Sequence, residues 1–273
     1  MGKTKKNYNL EIIRTISFIF VVLIHVSNYF CRGYGQVTGA GYLFSLFCDT
    51  VARISVPCFF MISGALMLER NEGVERGLKR VWRFLIILIF WSVVYYLFEH
   101  FYMGDYFDMS RLPFEPVEAH LWYLYAMLPI YIMLPFFQVM VHAMTEKQEQ
   151  YFMALCFLLS AFVYCASFSE LELYYDIPII GDRVYAVCFF LGYYIRKYAP
   201  RLKIPARIYF LFFGVCCIIN VITTAFMTHQ TGDHYERFLE YGNPVTLLSG
   251  AAFFGGMILL KNGDIQVGKK EKK

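Results

Sequence analysis

Charge is scarce in this sequence. Only 17% of its 273 residues are Asp, Glu, Lys or Arg, against 58% hydrophobic, whereas a soluble domain is about 25% charged and less apolar. No polar stretch is long enough for a soluble domain and no internal repeat is visible, so the chain reads as one membrane domain over residues 1–273, with basic tails at 1–9 and 261–273. No cysteine pair has CxxC spacing and no His/Cys cluster has zinc spacing, so no metal is expected. The eight cysteines lie mostly in apolar runs and read as small packing residues, with Cys31 expected nearest the outer surface. No cleavable signal is evident: the first apolar run is too long, and no small-residue cleavage site follows it.

What is abundant is apolar and aromatic. Phe, Tyr and Trp make up 19% of the chain, a usage suited to helices that pack in lipid and anchor at its interfaces. Apolar stretches at 9–30, 42–68, 84–103, 120–141, 151–168, 184–195, 208–227 and 244–260 predict an all-α, polytopic transmembrane bundle of about eight spans, of which the sixth is short. The cations settle the expected orientation. Of 25 Lys and Arg, 19 fall in the tails and links on the N-terminal side, four on the other side, and Arg14 and Arg53 inside spans. The positive-inside rule then puts both termini in the cytoplasm.

The chain is organised around residues 9–30, which hold Arg14 and His25. Eleven residues place the two on nearly one helical face, about 16 Å apart along the axis. Ionisable groups within a membrane helix usually face the protein interior or a wet cavity and mark a site. Each has a bland alternative. Arg14 could snorkel to the interface, paired with Glu11 three residues earlier, and His25 could serve only as a helix-to-helix hydrogen bonder. The functional reading makes His25 a general base.

The second run, 42–68, carries Asp49, Arg53, Pro57 and Ser63-Gly64. Pro57 opens the helix backbone, Arg53 needs a partner that Asp49 can supply, and Ser63-Gly64 allows close approach of a helix or ligand. A kinked helix with an internal ion pair is the structural alternative. Lys79, Arg80 and Arg83 gather at the mouth of the third span, either as an ordinary cytoplasmic cluster touching lipid phosphates or as a clamp for a polyphosphorylated donor. His120 and Trp122 open the fourth span at the outer interface, where tryptophan is expected in any case. Pro129 and Pro135 predict irregularity further along it.

Taken in order, these marks resemble the membrane acyltransferase-3 family, integral-membrane O-acyltransferases of surface polysaccharides. The resemblance covers almost the whole chain. It rests on Arg14, ten residues, then His25; on Phe59-Phe60 with Ser63-Gly64; on Arg80 and Arg83 as an R-x-x-R pair; on His120-Leu121-Trp122; and on Phe190-Leu191-Gly192-Tyr193. Glu11 stands where many members have Asp.

The resemblance implies transfer of an acyl group, most simply acetyl from cytoplasmic acetyl-CoA, to a hydroxyl of a cell-envelope glycan, in the multi-pass cytoplasmic membrane of a bacterium. It implies His25, Arg14 and Glu11 in catalysis, Lys79, Arg80, Arg83 and Ser63 toward the donor, and Arg53, His120 and Trp122 toward the acceptor. The expected partners are the bilayer, acyl-CoA, the glycan acceptor and a second copy of the chain, with no nucleic acid. Family members run to about ten helices with a late His-Pro, so this chain is expected to lack the last pair. The other readings are a non-enzymatic exporter of a lipid-linked glycan and an inactive remnant. Against export stand the absent repeat and the cytoplasmic arginine pair.

Overall fold

The computed structural model describes residues 8–104, 107–169 and 184–260, which are helical throughout apart from turns and loops. The basic tails at 1–7 and 261–273, most of the acidic loop at 169–182, and Arg183 lie outside the described residues. Seven stretches are long and apolar enough to cross a membrane: Tyr8–Arg32, Gly39–Met67, Val74–Met103, Ala119–Ala143, Glu146–Ala166, Ala206–Thr231 and Glu236–Leu259. The polytopic helical class is therefore as expected. The short sixth stretch does not qualify. Its helix, Tyr185–Tyr198, has 14 residues, about 21 Å at 1.5 Å per residue, and the hydrocarbon core is about 30 Å thick.

The chain forms two compact units, residues 1–66 with 150–273, and residues 67–149. The larger holds α1 (Tyr8–Arg32), α2 (Gly39–Ala52) and α3 (Ser55–Met67). α1 and α2 form a hairpin whose turn uses Gly35 at a positive φ and Thr38 as N-cap, its hydroxyl accepting from the Gly41 N–H at 3.1 Å. The predicted break in the second run occurs, but before the proline, at Arg53–Ile54. Pro57 has no N–H to give the Arg53 carbonyl four residues back, and its ring crowds that carbonyl. The helix accordingly ends with the Arg53 N–H on the Asp49 carbonyl and restarts with the Cys58 N–H on that of Ile54.

The smaller unit is built on α4 (Val74–Phe98) and α5 (Trp122–Ala143). α4 runs into a single π turn, Glu99–Met103, closed by Gly104 in the left-handed region. Pro129 and Pro135 leave α5 helical from end to end, contrary to the predicted irregularity; prolines are accommodated in membrane helices where neighbours and local adjustment satisfy the freed carbonyls. Gly77 of α4 makes room for the Pro135 ring.

The larger unit continues with α6 (Glu146–Ala166), α7 (Tyr185–Tyr198), α8 (Ala206–Thr231) and α9 (Pro244–Leu259). α8 and α9 pair as a second hairpin, and α9 also packs on α1 and α7. The Asn9 side-chain amide donates to the Ile258 and Leu260 carbonyls at 3.1 and 2.9 Å. The start of α1 and the end of α9 therefore share one end of this unit.

The α2–α3 stretch is its interior, with 72% of its most apolar window buried against 22% for α1. Outside it, α1 shows Phe18, Ile19, Val22 and Tyr29 on its uncovered flank, as a lipid-facing helix does. Cys31, expected near the outer surface, is instead fully buried with Tyr42, Leu46 and Leu239.

α7 is enclosed: Val187, Cys188, Phe189, Phe190 and Gly192 are all buried. It crosses α3 at a reciprocal pair of glycines. A Cβ on Gly64 would overlap the Phe189 carbonyl, and one on Gly192 the Met61 carbonyl. The two backbones touch there, as small residues permit in membrane bundles. Gly64→Ala is expected to destabilise the protein by about 1–3 kcal/mol, because backbone cannot yield as a flexible side chain does. A lower melting temperature in detergent checks this; an unchanged one would show that the crossing is looser than the structure has it.

Candidate functional site

Arg14 and His25 fall where the helical spacing predicts, along one line of α1. The buried flank of α1 is Leu10, Ile13, Ser17, Ser27 and Cys31. Arg14 and His25 lie outside that flank and both are exposed, which differs from the expectation that they face the interior. The inward seam is made of small and apolar residues, and the charged line runs along its margin. Arg14 is paired with Glu11 at 2.7 Å, their side chains 44% and 49% exposed. Surface pairs of this kind contribute about 0–1 kcal/mol. His25 makes no hydrogen bond or ion pair with any of the described residues.

The same line continues into a polar cluster. Asn28 and Arg32 follow His25 by three and seven residues, and both donate to Glu236, at 3.1 Å each. Glu236 also accepts from Arg53 at 2.7 Å, and the Arg53 guanidinium is held on its other side by Asp49 at 3.1 Å. Asp49 is wholly buried and Arg53 nearly so. The Ser27 hydroxyl lies 3.3 Å from Asp49, and Tyr241 contacts Arg53. The predicted Asp49–Arg53 pair is therefore present, but Arg53 is also held by Glu236, 183 residues away.

Beside the cluster, the Tyr42 hydroxyl meets the Thr228 hydroxyl at 2.8 Å and His234 Nδ1 at 3.0 Å. Burial, reinforced by Arg53 and Arg32, outweighs the Glu236 charge and pushes the His234 imidazole below its ordinary value of 6.5.

Sequence reasoning passed over Glu236, Asn28, Tyr42 and His234. Glu236 and His234 sit in a loop that reads as ordinary polar sequence. The available signal was Arg53 itself, a cation deep in an apolar run with a single nearby acid.

In the smaller unit, the donor-side candidates occupy the first turns of α4. Arg80 donates to Glu72 at 2.7 Å, and Arg70 reaches the same carboxylate at 3.3 Å. Glu72 is fixed in turn by its own N–H on Gln138, whose amide also caps the Met67 carbonyl at 2.8 Å. Burial pushes the Glu72 carboxyl up, but the Arg80 hydrogen bond and charge, with Arg70, overcome it and hold the group below its ordinary value. One Arg80 nitrogen, Nη1, is buried without a hydrogen-bond partner among the described residues. Lys79 and Arg83 are exposed.

His120 packs edge-on against the Tyr95 ring at 4.7 Å, with Glu118 3.9 Å from its Nδ1, while the Trp122 ring lies edge-on to Tyr123. The Ser63 hydroxyl donates to the Phe59 carbonyl of its own helix at 3.0 Å. A cavity of about 610 Å³ opens between α1 and α2, walled by Leu23, Val26, Phe30 and Phe44 with Gln36 and Thr38 at its polar end. Arg14 and His25 take no part in its walls. Among the described residues, no group of three or more His, Cys, Asp or Glu could hold a metal ion.

These features define a multi-pass membrane protein with ionisable side chains placed along and between its helices. Comparison with protein families gives the particular class: a family described as "Acyltransferase domain" matches residues 7–268. The chain belongs to that family, the acyltransferase-3 family, and is a membrane acyltransferase. No curated protein and no solved structure matches the chain significantly.

Proposed function

We propose that this protein moves an acyl group, acetyl in the simplest case, from cytoplasmic acyl-CoA to a hydroxyl of a cell-envelope glycan, in the cytoplasmic membrane of a bacterium. The observation that carries the reading is His25. It is an imidazole on a membrane-spanning helix that no neighbour among the described residues satisfies. A polar group placed there at a cost, with no structural return, is a functional candidate by default.

In the reaction, His25 takes the proton of the acceptor hydroxyl as that oxygen attacks the thioester carbonyl. The C–S bond breaks, an ester C–O bond forms, and the imidazolium returns the proton to the departing CoA thiolate. Arg14, steadied by Glu11, lies on the path of the pantetheine arm, about 16 Å from His25 along the axis. Lys79, Arg80 and Arg83 hold the CoA phosphates, for which guanidinium forks are suited; the unpartnered Nη1 of Arg80 supports this. Arg53, His120 and Trp122 belong to the acceptor side. The 19-to-4 cation asymmetry supports a cytoplasmic position for both chain ends, and the shared end of α1 and α9 supports a common side.

The test is donor binding. Labelled acetyl-CoA should bind the purified protein, and Arg83→Ala should weaken it by about 10- to 100-fold, the loss of one charge-assisted contact of roughly 1.5–3 kcal/mol. Arg83 is exposed, so the variant should fold. Absence of binding by the unaltered protein would favour an exporter and end this reading.

A further inference from the structure

We propose that Glu236 is a positioning residue for acyl transfer, setting the roll of α1 about its axis and with it the bearing of His25. The inference rests on the reading of His25 as the base.

Glu236 gathers three donors from two parts of the fold, α1 and the α2–α3 break, and unlike Asp49 it stands outside both. Asn28 and Arg53 share its Oε1, at 3.1 and 2.7 Å, and Arg32 takes Oε2 at 3.1 Å. Asn28 and Arg32 stand on the same face of α1 as His25, one and two turns beyond it. The carboxylate therefore grips the line on which the imidazole sits, next to the imidazole itself.

Its own segment is fixed. The Arg237 guanidinium donates to the Ser167 carbonyl, the Tyr164 hydroxyl donates to the Arg237 carbonyl at 3.1 Å, and Asn243, the N-cap of α9, donates to Phe238. Arg53 is fixed by Asp49. Glu236 thus joins α1 to a rigid frame at this end, as Asn9 joins it to α9 at the other.

Stability alone is a poor account of such a cluster. Burying Arg53 and Asp49 carries a desolvation cost that good geometry only roughly offsets, and Arg32 is exposed. Geometry is a better one. At a helix radius of about 5–6 Å, side chains included, a roll of about 10° carries the imidazole about 1 Å, and a misplacement of about 1 Å can cost about 100-fold in rate. Ser27, 3.3 Å from Asp49, opposes such a roll only weakly.

The experiment measures kcat and donor KM with labelled acetyl-CoA on purified, lipid-reconstituted protein, for Glu236→Gln, Asn28→Ala, their combination and Glu236→Asp. Glu236→Gln should lower kcat by about 10–100-fold with donor KM changed less than about twofold. The double variant should be no worse than Glu236→Gln alone, since both cut one linkage, and Glu236→Asp should recover part of the rate. Unchanged kcat, a loss confined to KM, or independent effects of the two substitutions would overturn the proposal.

If Glu236→Gln fails to fold, Arg32→Gln replaces it. Arg32 is exposed, and the same logic expects a several-fold fall in kcat at unchanged melting temperature; an unchanged kcat overturns the proposal. His25→Ala is assayed alongside. Full activity there removes the base and this proposal with it, whereas an inactive His25→Ala beside a fully active Glu236→Gln removes the positioning role alone.

Discussion

His25→Ala should lose acyl transfer by about 10²- to 10⁴-fold, the range a positioned general base contributes, while inserting and folding as the unaltered protein does. Both halves follow from the structure. The side chain is exposed and makes no hydrogen bond or ion pair with a described residue, so its truncation should change stability by no more than about 0.5 kcal/mol. A structural histidine bridging two helices would behave in the opposite way, losing stability first and activity only in proportion. Transfer rate and melting temperature, measured on one preparation, separate the two. Unaltered transfer by His25→Ala would remove the imidazole from the mechanism.

Arg53→Ala should lose stability first, by about 3–5 kcal/mol, the cost of breaking a buried ion pair from one side. Removing the guanidinium strands Asp49, which is wholly buried, with Ser27 as its remaining hydrogen-bond donor in the cluster. It also deprives Glu236 of its shortest contact, at 2.7 Å. The loss should be partly relieved when Asp49→Ala is added, because the second substitution removes the orphaned charge. Thermal unfolding in detergent of the two single variants and the double would show this as non-additivity. Additive losses would mean that Asp49 and Arg53 do not depend on each other, against the 3.1 Å contact between them.

The helical class, the position of most membrane spans and the Asp49–Arg53 pair were legible because each depends on neighbours within a few turns of chain. Hydropathy reads a spanning helix directly, and an i,i+4 pair is fixed by helical pitch. The break near Pro57 was legible for the same reason, though its place at Arg53 follows only from counting back four residues to the carbonyl that proline cannot serve. Glu236 was not legible. It acts on Asn28, Arg32 and Arg53 from 183 residues or more away, and nothing local marks it among the polar residues of its loop.

α7 was legible as a short apolar run, but its enclosure was not, because the glycine crossing with α3 joins residues far apart in the chain. The outward bearing of Arg14 and His25 was equally hidden, because helical periodicity shows that two residues share a face and leaves open which way that face points.

Transfer across a membrane of known sidedness tests whether His25 joins a cytoplasmic donor to an acceptor on the far side. The protein is reconstituted in vesicles, its orientation is fixed by protease access to the basic tails, and labelled acetyl-CoA is supplied only on the side of those tails. Label is expected in a glycan hydroxyl ester on the opposite side, and none with His25→Ala. Label that stays with the donor in the unaltered protein, or that appears only when donor and acceptor share a side, would contradict that expectation.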